Sequence, residues 1–442
     1  MPEQPHKFRK YVLGLVVLGA LGRLLMTLPP LDRPGDPSYL QMAQDILRFN
    51  FHAWGDRTPL YPLVVAMCGL NLPVIWVAQS ILGITASLMI FDMAYRRTRH
   101  GLLSFVVGLV CSLIPEVIIF EGGVMAETLT SFLLVTSVWL FTRWDGVRED
   151  NIRKSLALGS IVALAGLTRP LMICLVPVYY CFLIPVWPPA KMQRREGLRT
   201  TFFFALPICV FILGWCGFNY FNSGYFTPTT RAGQQLMDQV DPYVELAPDR
   251  FAMLRDAWIQ SRQRSTHTPD EIEDVYYRGA LPEVERQTGK TESQVSHEFA
   301  SLALYLEIHH PLLCLRRAEL GWIEFWGEPS SEEVEWRQGG KARLTEFAMA
   351  MANLLVREIK GAFLLLALLS IPCALFRVKA FSRHEHLIFA VALMVSVCAA
   401  FTEFGSNRRF CVPFYMLIVY TVLTRGSIWI TATSSEGVRA HF

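Results

Sequence analysis

The sequence predicts an all-α, polytopic membrane protein, and its composition and its hydropathy pattern carry this prediction. Of the 442 residues, 52% are hydrophobic and only 18% are charged, whereas soluble domains have roughly a quarter of their residues charged. The aromatic content of 12% excludes an intrinsically disordered chain, because such chains are poor in aromatic residues. Lys and Arg number 41 against 38 for Asp and Glu, and this small excess of positive charge predicts no nucleic-acid partner.

Apolar stretches recur along the chain at the length of a bilayer-spanning helix, which needs about 20 residues. They predict about ten transmembrane helices, at residues 11–28, 73–94, 102–120, 125–142, 155–168, 171–187, 202–221, 361–377, 387–401 and 410–424. Lys and Arg are concentrated in alternate short loops. Because such loops are usually cytoplasmic, this bias predicts that both termini face the cytoplasm.

The predicted spans divide the chain into three parts. Residues 1–221 form an N-terminal module of seven spans with a first outer loop at 29–58, and residues 361–442 form a C-terminal module of three spans. The segment between them, residues 222–360, is polar enough to predict a small, mainly helical extracytoplasmic domain. Its amphipathic end at 299–326 fits either a helix lying at the membrane interface or a helix packed on this domain.

Ionisable residues at or within the bilayer are candidates for function, because charge is costly there. Asp36 precedes Pro37 and an apolar helical face, so it is either a helix N-cap or a carboxylate able to take a proton from an acceptor hydroxyl. Arg57 opens an apolar segment and is either a snorkelling interface residue or a phosphate ligand. Arg169 interrupts the apolar stretch 155–187, which predicts two helices that meet there on the side of Arg57.

Further charges fall on the same predicted side. Glu127 lies one to two turns into a predicted span and needs a cationic partner. The last outer loop contributes Arg408 and Arg409, and the sequence assigns no role to three further charged residues, Arg23, Glu121 and Arg231. An acid and several cations thus converge on one leaflet. This arrangement suits a lipid phosphate and does not suit an ion channel, which places rings of charge along a pore.

These residues stand in five short motifs that run through most of the membrane portion. The motifs are Asp36-Pro37-Ser38-Tyr39, Arg57-Thr58-Pro59-Leu60-Tyr61-Pro62, Met125-Ala126-Glu127-Thr128-Leu129, Leu167-Thr168-Arg169-Pro170 and Asn407-Arg408-Arg409-Phe410-Cys411-Val412-Pro413. Because these motifs occur in this order and on one predicted side of the membrane, the chain resembles the C-type glycosyltransferase superfamily. The resemblance is to the branch of protein O-mannosyltransferases and lipid A aminoarabinose transferases. Two features depart from that branch: Pro37 stands where a second acid is frequent, and the outer segment is unlike the β-rich outer domain of the eukaryotic mannosyltransferases.

The resemblance implies a C-type glycosyltransferase architecture and an inverting transfer of a sugar from a polyprenyl-phosphate carrier to a hydroxyl group. Asp36 would be the general base, and Arg57 and Arg169 would bind the donor phosphate. Glu127 matches a second acid of the family. The shared motifs imply further donor-binding residues, namely Tyr39, Tyr61, Arg408 and Arg409.

The same resemblance implies the partners and the location. The protein would work in a bilayer, taken here as a bacterial inner membrane, with its active site outside the cytoplasm. The donor would be a polyprenyl-phosphate-linked sugar and the acceptor an envelope glycan, a lipid or a protein. No metal or other cofactor is expected if arginines supply the positive charge at the phosphate.

Two other functions remain open at this stage. A lipid-linked sugar transporter or flippase would also need arginines at a lipid phosphate, although no internal symmetry of the kind that transporters carry is visible. An O-antigen ligase-like transferase would use a pyrophosphate donor and an outer His/Arg site, to which only His309 and His310 point. A metal site that includes His297 lacks the usual ligand spacing.

Overall fold

The computed structural model describes residues 5–27, 36–50, 57–143, 151–183, 194–264, 274–327, 342–376, 378–405 and 407–439. Much of the predicted first outer loop, residues 29–35 and 51–56, lies outside these described residues. The all-α prediction is confirmed for the described ranges, which contain helices and no β-strand.

The N-terminal part is a succession of helices up to the start of the outer segment. They are α1 (Pro5–Thr27), α2 (Pro37–Leu47), α3 (Leu60–Met67), α4 (Leu72–Thr98), α5 (Gly101–Ser112), α6 (Pro115–Glu121), α7 (Glu127–Thr142), α8 (Asn151–Thr168), α9 (Leu175–Leu183), α10 (Arg194–Ile208) and α11 (Gly214–Ser223). A 3-10 turn, Pro170–Cys174, leads into α9, and a π-helical turn, Cys209–Leu213, joins α10 to α11.

Residues 222–360, named the outer segment after their predicted location, are also helical over their described ranges, as the sequence predicts. Its helices are α12 (Ala232–Val240), α13 (Ala252–Arg264), α14 (Leu281–Thr288), α15 (Glu292–His309) and α16 (Pro311–Trp326), with 3-10 turns at Asp241–Leu246 and Asp249–Phe251 and a π-helical turn at Val275–Ala280. The C-terminal part contains α17 (Ala342–Leu375), α18 (Arg383–Thr402), α19 (Asn407–Cys411), a 3-10 turn at Val412–Phe414 and α20 (Tyr415–Arg439).

Within the described residues, 4 helical stretches are long and apolar enough to cross a membrane. They are Leu72–Thr98, Gly197–Ser223, Arg383–Thr402 and Asn407–Ile428, and the pair Gly101–Ser112 and Pro115–Glu121, bent by 51°, adds a fifth if it forms one span. These helices make the chain an integral membrane protein. The predicted count of about ten spans is not confirmed, because predicted spans such as 125–142 and 171–187 correspond to the shorter helices Glu127–Thr142 and Pro170–Leu183.

Two hydrophobic cores organise these helices. One core contains residues from both membrane modules, such as Leu134, Val391 and Leu417, so the N-terminal and C-terminal spans pack as one bundle. The second belongs to the outer segment and centres on Trp258, whose ring lies 5.8 Å from that of Phe299. The outer segment therefore carries a core of its own beside the bundle.

Helix α16 connects the outer segment to the bundle. The Trp322 indole donates to Ser396 Oγ at 3.1 Å, so α16 packs on the membrane helix α18. Its opposite side is apolar and exposed: Leu312 has 79% of its surface accessible and Ile323 has 55%. An amphipathic helix of this kind matches the interfacial alternative, which stays a prediction.

Candidate active site

Asp36 begins helix α2 and caps it. Its backbone is extended, Pro37 takes the first helical position, and its Oδ1 accepts from the Ser38 backbone N–H at 3.0 Å and from Ser38 Oγ at 2.5 Å. The N-cap alternative from the sequence is therefore correct as a description of local structure. A cap of this kind also holds the carboxylate in a fixed direction, because one of its oxygens is anchored to the helix end.

The other oxygen of Asp36 binds Arg57. The Arg57 Nη2 atom donates to Asp36 Oδ2, its Nε donates to Ser38 Oγ at 2.9 Å, and its guanidinium lies over the Tyr39 ring at 4.9 Å. Burial alone would raise the pKa of Asp36, but Arg57, the Ser38 hydrogen bonds and the charge of Arg231 together hold that pKa below its ordinary value. The carboxylate is ionised at neutral pH and is already occupied by a cation.

An aromatic contact and a series of hydrogen bonds connect the Asp36–Arg57 pair, through Tyr39, to the turn before α7. The Tyr61 ring meets Tyr39 edge-on at 4.9 Å, and its hydroxyl donates to Gln79 Oε1 at 3.0 Å. Gln79 Nε2 in turn donates to the carbonyls of Glu121 and Gly123 at 2.9 and 2.8 Å. Tyr61 is thus a support behind Tyr39.

Arg169 lies at the helix break that the sequence predicts. Helix α8 ends at Thr168, Arg169 is extended, and Pro170 begins the following 3-10 turn. The Thr58 hydroxyl donates to the Thr168 carbonyl at 2.9 Å, so the segment that carries Arg57 contacts the break directly. Two motifs separated by 110 positions in the sequence meet here.

Glu127 is shared between two arginines. The Arg169 Nη2 atom donates to Glu127 Oε1 at 2.6 Å, and Arg409 Nε donates to the same oxygen. The Glu127 side chain is fully buried and Arg169 is 7% exposed. Glu127 Oε2 and Arg169 Nη1 are buried and have no hydrogen-bond partner among the described residues. Because one carboxylate faces two guanidinium groups, net positive charge and unused N–H donors remain available to bind an anion.

A further cation comes from Arg231, to which the sequence assigns no role. It lies immediately before α12 in the outer segment, and its guanidinium sits 5.2 Å from the Tyr277 ring centre. Its Nε is buried without a hydrogen-bond partner among the described residues. No local motif announces this residue, because it reaches the site only through the packing of the outer segment against the bundle.

The four arginines described above, Arg57, Arg169, Arg231 and Arg409, line a cavity of about 260 Å³. Its lining is Tyr39, Arg57, Thr58, Thr168, Arg169, Pro170, Leu171, Thr229, Arg231, Gln235, Thr402, Glu403, Arg409 and Phe410. Among the described residues the lining holds four arginines and one acid. With Asp36 and Glu127 counted, three carboxylates face four guanidinium groups in this described part of the site, so it has an excess of positive charge and is suited to an anion.

Not every predicted site residue lines this cavity. Asp36, Tyr61 and Glu127 stand one contact behind it, through Arg57, Tyr39 and the two arginines already described.

Arg408 does not line the cavity either. It acts electrostatically on Glu324 of α16, and its Nε has no hydrogen-bond partner among the described residues.

Arg23 and Glu121 form a separate, closed ion pair. Arg23 Nε and Nη2 donate to the two oxygens of Glu121 at 2.6 and 2.7 Å, and Arg23 Nη1 donates to the Gly19 and Ser112 carbonyls and to Ser112 Oγ. A Cβ atom at Gly83 would lie 1.9 Å from Glu121 Oε1, so only glycine leaves room for the pair. Glu121, to which the sequence assigns no role, is therefore a buried structural partner of Arg23.

The described histidines of the outer segment, His297, His309 and His310, do not line the cavity. His309 stacks on Tyr305 at 3.8 Å, His297 stacks on Tyr225 at 4.3 Å, and neither His309 nor His310 lines the cavity. The described residues contain no group of three or more His, Cys, Asp or Glu side chains that could hold a metal ion. The expectation that no cofactor is required stays a prediction.

Comparison with known proteins gives the fold. The sequence matches no protein-family model and no curated protein. The structure is similar to that of the archaeal oligosaccharyltransferase AglB from Archaeoglobus fulgidus, solved in complex with an inhibitory peptide and a dolichol-phosphate. The TM-score is 0.50 at 13% sequence identity, and the match covers 98% of this chain but 52% of the AglB chain, so this chain spans about half the length of its neighbour. At this identity the similarity shows a shared fold over the matched part of the two chains.

Proposed function

We propose that this chain is an inverting glycosyltransferase that moves a hexosyl or pentosyl unit from a polyprenyl phosphate to a hydroxyl acceptor on the outer face of the membrane. The observation that carries the proposal is the cavity in which Arg57, Arg169, Arg231 and Arg409 converge beside the carboxylate of Asp36. A phosphate on a lipid carrier is an anion that can enter such a site from the bilayer. Guanidinium groups suit it because their donors match phosphate oxygens two at a time.

In the proposed reaction the acceptor oxygen attacks the anomeric carbon of the donor sugar. The bond between that carbon and the phosphate oxygen breaks, and its electron pair leaves with the phosphate. Asp36 takes the proton of the acceptor hydroxyl as the new glycosidic bond forms. The arginines stabilise the charge that develops on the leaving phosphate, and the attack from the opposite side inverts the anomeric centre.

The pairing of Asp36 with Arg57 gives the reaction an order. Before the donor binds, Arg57 neutralises Asp36 and keeps its pKa low, which makes the carboxylate a weak base. A donor phosphate competes for the Arg57 guanidinium and brings negative charge close to the carboxylate. Both effects strengthen Asp36 as a base, so proton removal follows donor binding.

A ligase-like transferase and a flippase are the two alternative functions, and both fit this cavity less well. A ligase-like transferase that relies on an outer histidine is disfavoured, because His309 and His310 lie away from the arginines. A flippase would also use the arginines, but it has no need of a carboxylate held by two hydrogen bonds beside them. The transferase is therefore preferred, in the bilayer of a bacterial inner membrane with both termini cytoplasmic.

The test supplies purified protein with polyprenyl-phosphate sugars labelled in the sugar, together with extracted envelope material. Label is expected to appear on a hydroxyl group of an envelope glycan, lipid or protein, and the labelled product names both donor and acceptor. Transport of the labelled lipid across a vesicle bilayer without any transfer would instead support the flippase.

Asp36→Asn is the sharpest variant for this proposal. Base catalysis contributes about 10²–10⁴-fold, so turnover is expected to fall by at least about a hundredfold while the donor still binds. The amide keeps the shape of the carboxylate and its contact with Ser38, which makes loss of folding a poor explanation of the result. Turnover near that of the parent protein would remove Asp36 as the base.

A further inference from the structure

The cavity lining contains two chemically different sets of side chains. The first set is the four arginines, and the second set is Thr229, Gln235, Thr402 and Glu403. The second set offers hydroxyl groups, a primary amide and one carboxylate. These groups are poorly suited to a phosphate and well suited to the hydroxyl groups of a sugar, which both donate and accept hydrogen bonds.

Helix α12 carries Gln235 and is tied to the end of α18, where Thr402 and Glu403 lie. Of its three glutamines, Gln234 accepts from the Tyr277 hydroxyl at 3.1 Å, and Gln239 donates to the carbonyls of Ala400 and Glu403 at 2.6 and 2.9 Å. The Gly233 backbone N–H donates to Ser296 Oγ at 3.1 Å. These hydrogen bonds hold α12 to the outer segment and to the end of α18.

Gln235 differs from its two neighbours. It lines the cavity, and its side-chain amide makes no hydrogen bond with any other described residue. An amide that is held on a fixed helix and turned to a cavity, with its donors and acceptor free, is prepared for a polar ligand. Phe410 also lines the cavity, and the Arg169 guanidinium lies over its ring at 4.9 Å from the ring centre.

We infer that Gln235, Thr229, Thr402 and Glu403 form the subsite for the donor sugar, with Gln235 as its main determinant. The inference rests on the proposed function. The cavity measures about 260 Å³, which is below the roughly 300–1,000 Å³ of sites for drug-sized ligands. The ligand class is therefore one sugar unit on a lipid phosphate and not a long oligosaccharide.

The experiment measures binding to the full chain in nanodiscs with four probes. They are farnesyl phosphate without a sugar and farnesyl phosphate linked to mannose, to glucose or to arabinose. The parent protein is expected to bind at least one sugar-linked probe more tightly than farnesyl phosphate itself. Equal affinity for all four would overturn the sugar subsite and leave the phosphate site intact. Absence of binding to all four would overturn the proposed function, and this inference with it.

Gln235→Ala is expected to weaken binding of the preferred sugar-linked probe by about threefold to tenfold, the range of one or two neutral hydrogen bonds. Binding of farnesyl phosphate should stay within about twofold of the parent, since no arginine contact is removed. Equal losses with both probes, or no loss with either, would overturn the assignment.

Thr402→Val provides a second variant, because it removes a hydroxyl at nearly constant shape and keeps the helix. It should reduce the preference for the sugar-linked probe in the same direction. Gln263→Ala is the matched control, since Gln263 is an exposed glutamine of α13 that lines a different surface depression. A similar loss in the Gln263 variant would assign the effect to the fold of the outer segment and overturn the subsite.

Discussion

Two buried arginine–glutamate systems within the bundle differ in how completely they are satisfied. In the closed pair, both oxygens of Glu121 accept from Arg23, whose third nitrogen is bound by Gly19 and Ser112. In the open group, Glu127 offers one oxygen to two arginines, and Glu127 Oε2 and Arg169 Nη1 have no partner among the described residues. The closed pair sits in packed protein, whereas both arginines of the open group line a cavity.

The number of unused hydrogen-bond donors separates buried charges that serve structure from those that are available to a ligand. A buried pair whose donors are all used stabilises one arrangement of helices and can do nothing else. A buried group with unused donors costs free energy that the protein alone does not recover. Such a cost is expected where a ligand supplies the missing partner, as a phosphate would beside Arg169.

The largest effect is expected from Arg23→Ala. Removing one partner of a buried ion pair leaves an uncompensated charge and costs about 3–5 kcal/mol of folding free energy. Most of the protein should therefore fail to reach the folded state in membranes, measured as loss of monodisperse material after detergent extraction. The double variant with Arg23→Met and Glu121→Leu should recover most of the yield, since a hydrophobic replacement of a whole pair is often neutral. A stable single variant would contradict the structural role of the pair.

A smaller and different effect is expected from Arg169→Ala. Loss of a charge-assisted hydrogen bond to a phosphate costs about 1.5–3 kcal/mol, so affinity for a polyprenyl-phosphate donor should fall about 10–100-fold. Thermal stability should change little, because Glu127 keeps Arg409 as its partner. Arg278→Ala, at a side chain that is 81% exposed, is the matched control and should change neither quantity. Unchanged donor affinity in both Arg57→Ala and Arg169→Ala would remove the phosphate assignment.

The sequence predicts the local structure at several charged residues of the bundle, but it does not predict which residues pair with one another. Local signals announce the cap at Asp36 and the break at Arg169, because a proline follows each residue and sets the backbone. The requirement that Glu127 have a cationic partner also follows from its place in an apolar stretch. These are short-range or one-residue arguments, and each holds in the structure.

Long-range contacts could not be predicted in the same way. Arg23 and Glu121 are separated by 98 positions, and nothing in either local sequence names the other. Arg231 reaches the cavity only because the outer segment packs beside the bundle. The pairing of Asp36 with Arg57 joins two residues to which the sequence gives independent roles, as base and as phosphate ligand.

The Asp36–Arg57 pair is closed in the free protein, and the proposed donor would open it, so the pH dependence of the reaction should report this change. In the free protein the Asp36 pKa lies below its ordinary value, so the active, ionised form is lost only when pH falls below that range. In the proposed donor complex the phosphate would compete for Arg57, and this would raise the pKa of Asp36. The acid limb of kcat, which reports the complex, should therefore lie at higher pH than the acid limb of kcat/KM, which reports the free enzyme. Coincident limbs would argue against release of Arg57 by the donor.

The smallest effect concerns a half-buried acid that makes no ion pair with any described residue. Glu307 of α15 has a buried Oε1 without a hydrogen-bond partner among the described residues, and burial raises its pKa to about 7. Because the folded state holds this proton more tightly than the unfolded state, the protein is most stable below the unfolded pKa, and stability falls as pH rises towards about 7. Glu307→Gln removes this dependence, so the variant should match the parent near pH 5 and exceed it near pH 8, by on the order of 1 kcal/mol after allowance for partial exposure. Thermal unfolding at both pH values, with the exposed Glu319→Gln as control, measures the difference. A variant that is less stable than its parent at pH 8 would mean that the Glu307 carboxylate has a stabilising partner, and the contrast between satisfied and unsatisfied acids would then be confined to the membrane bundle.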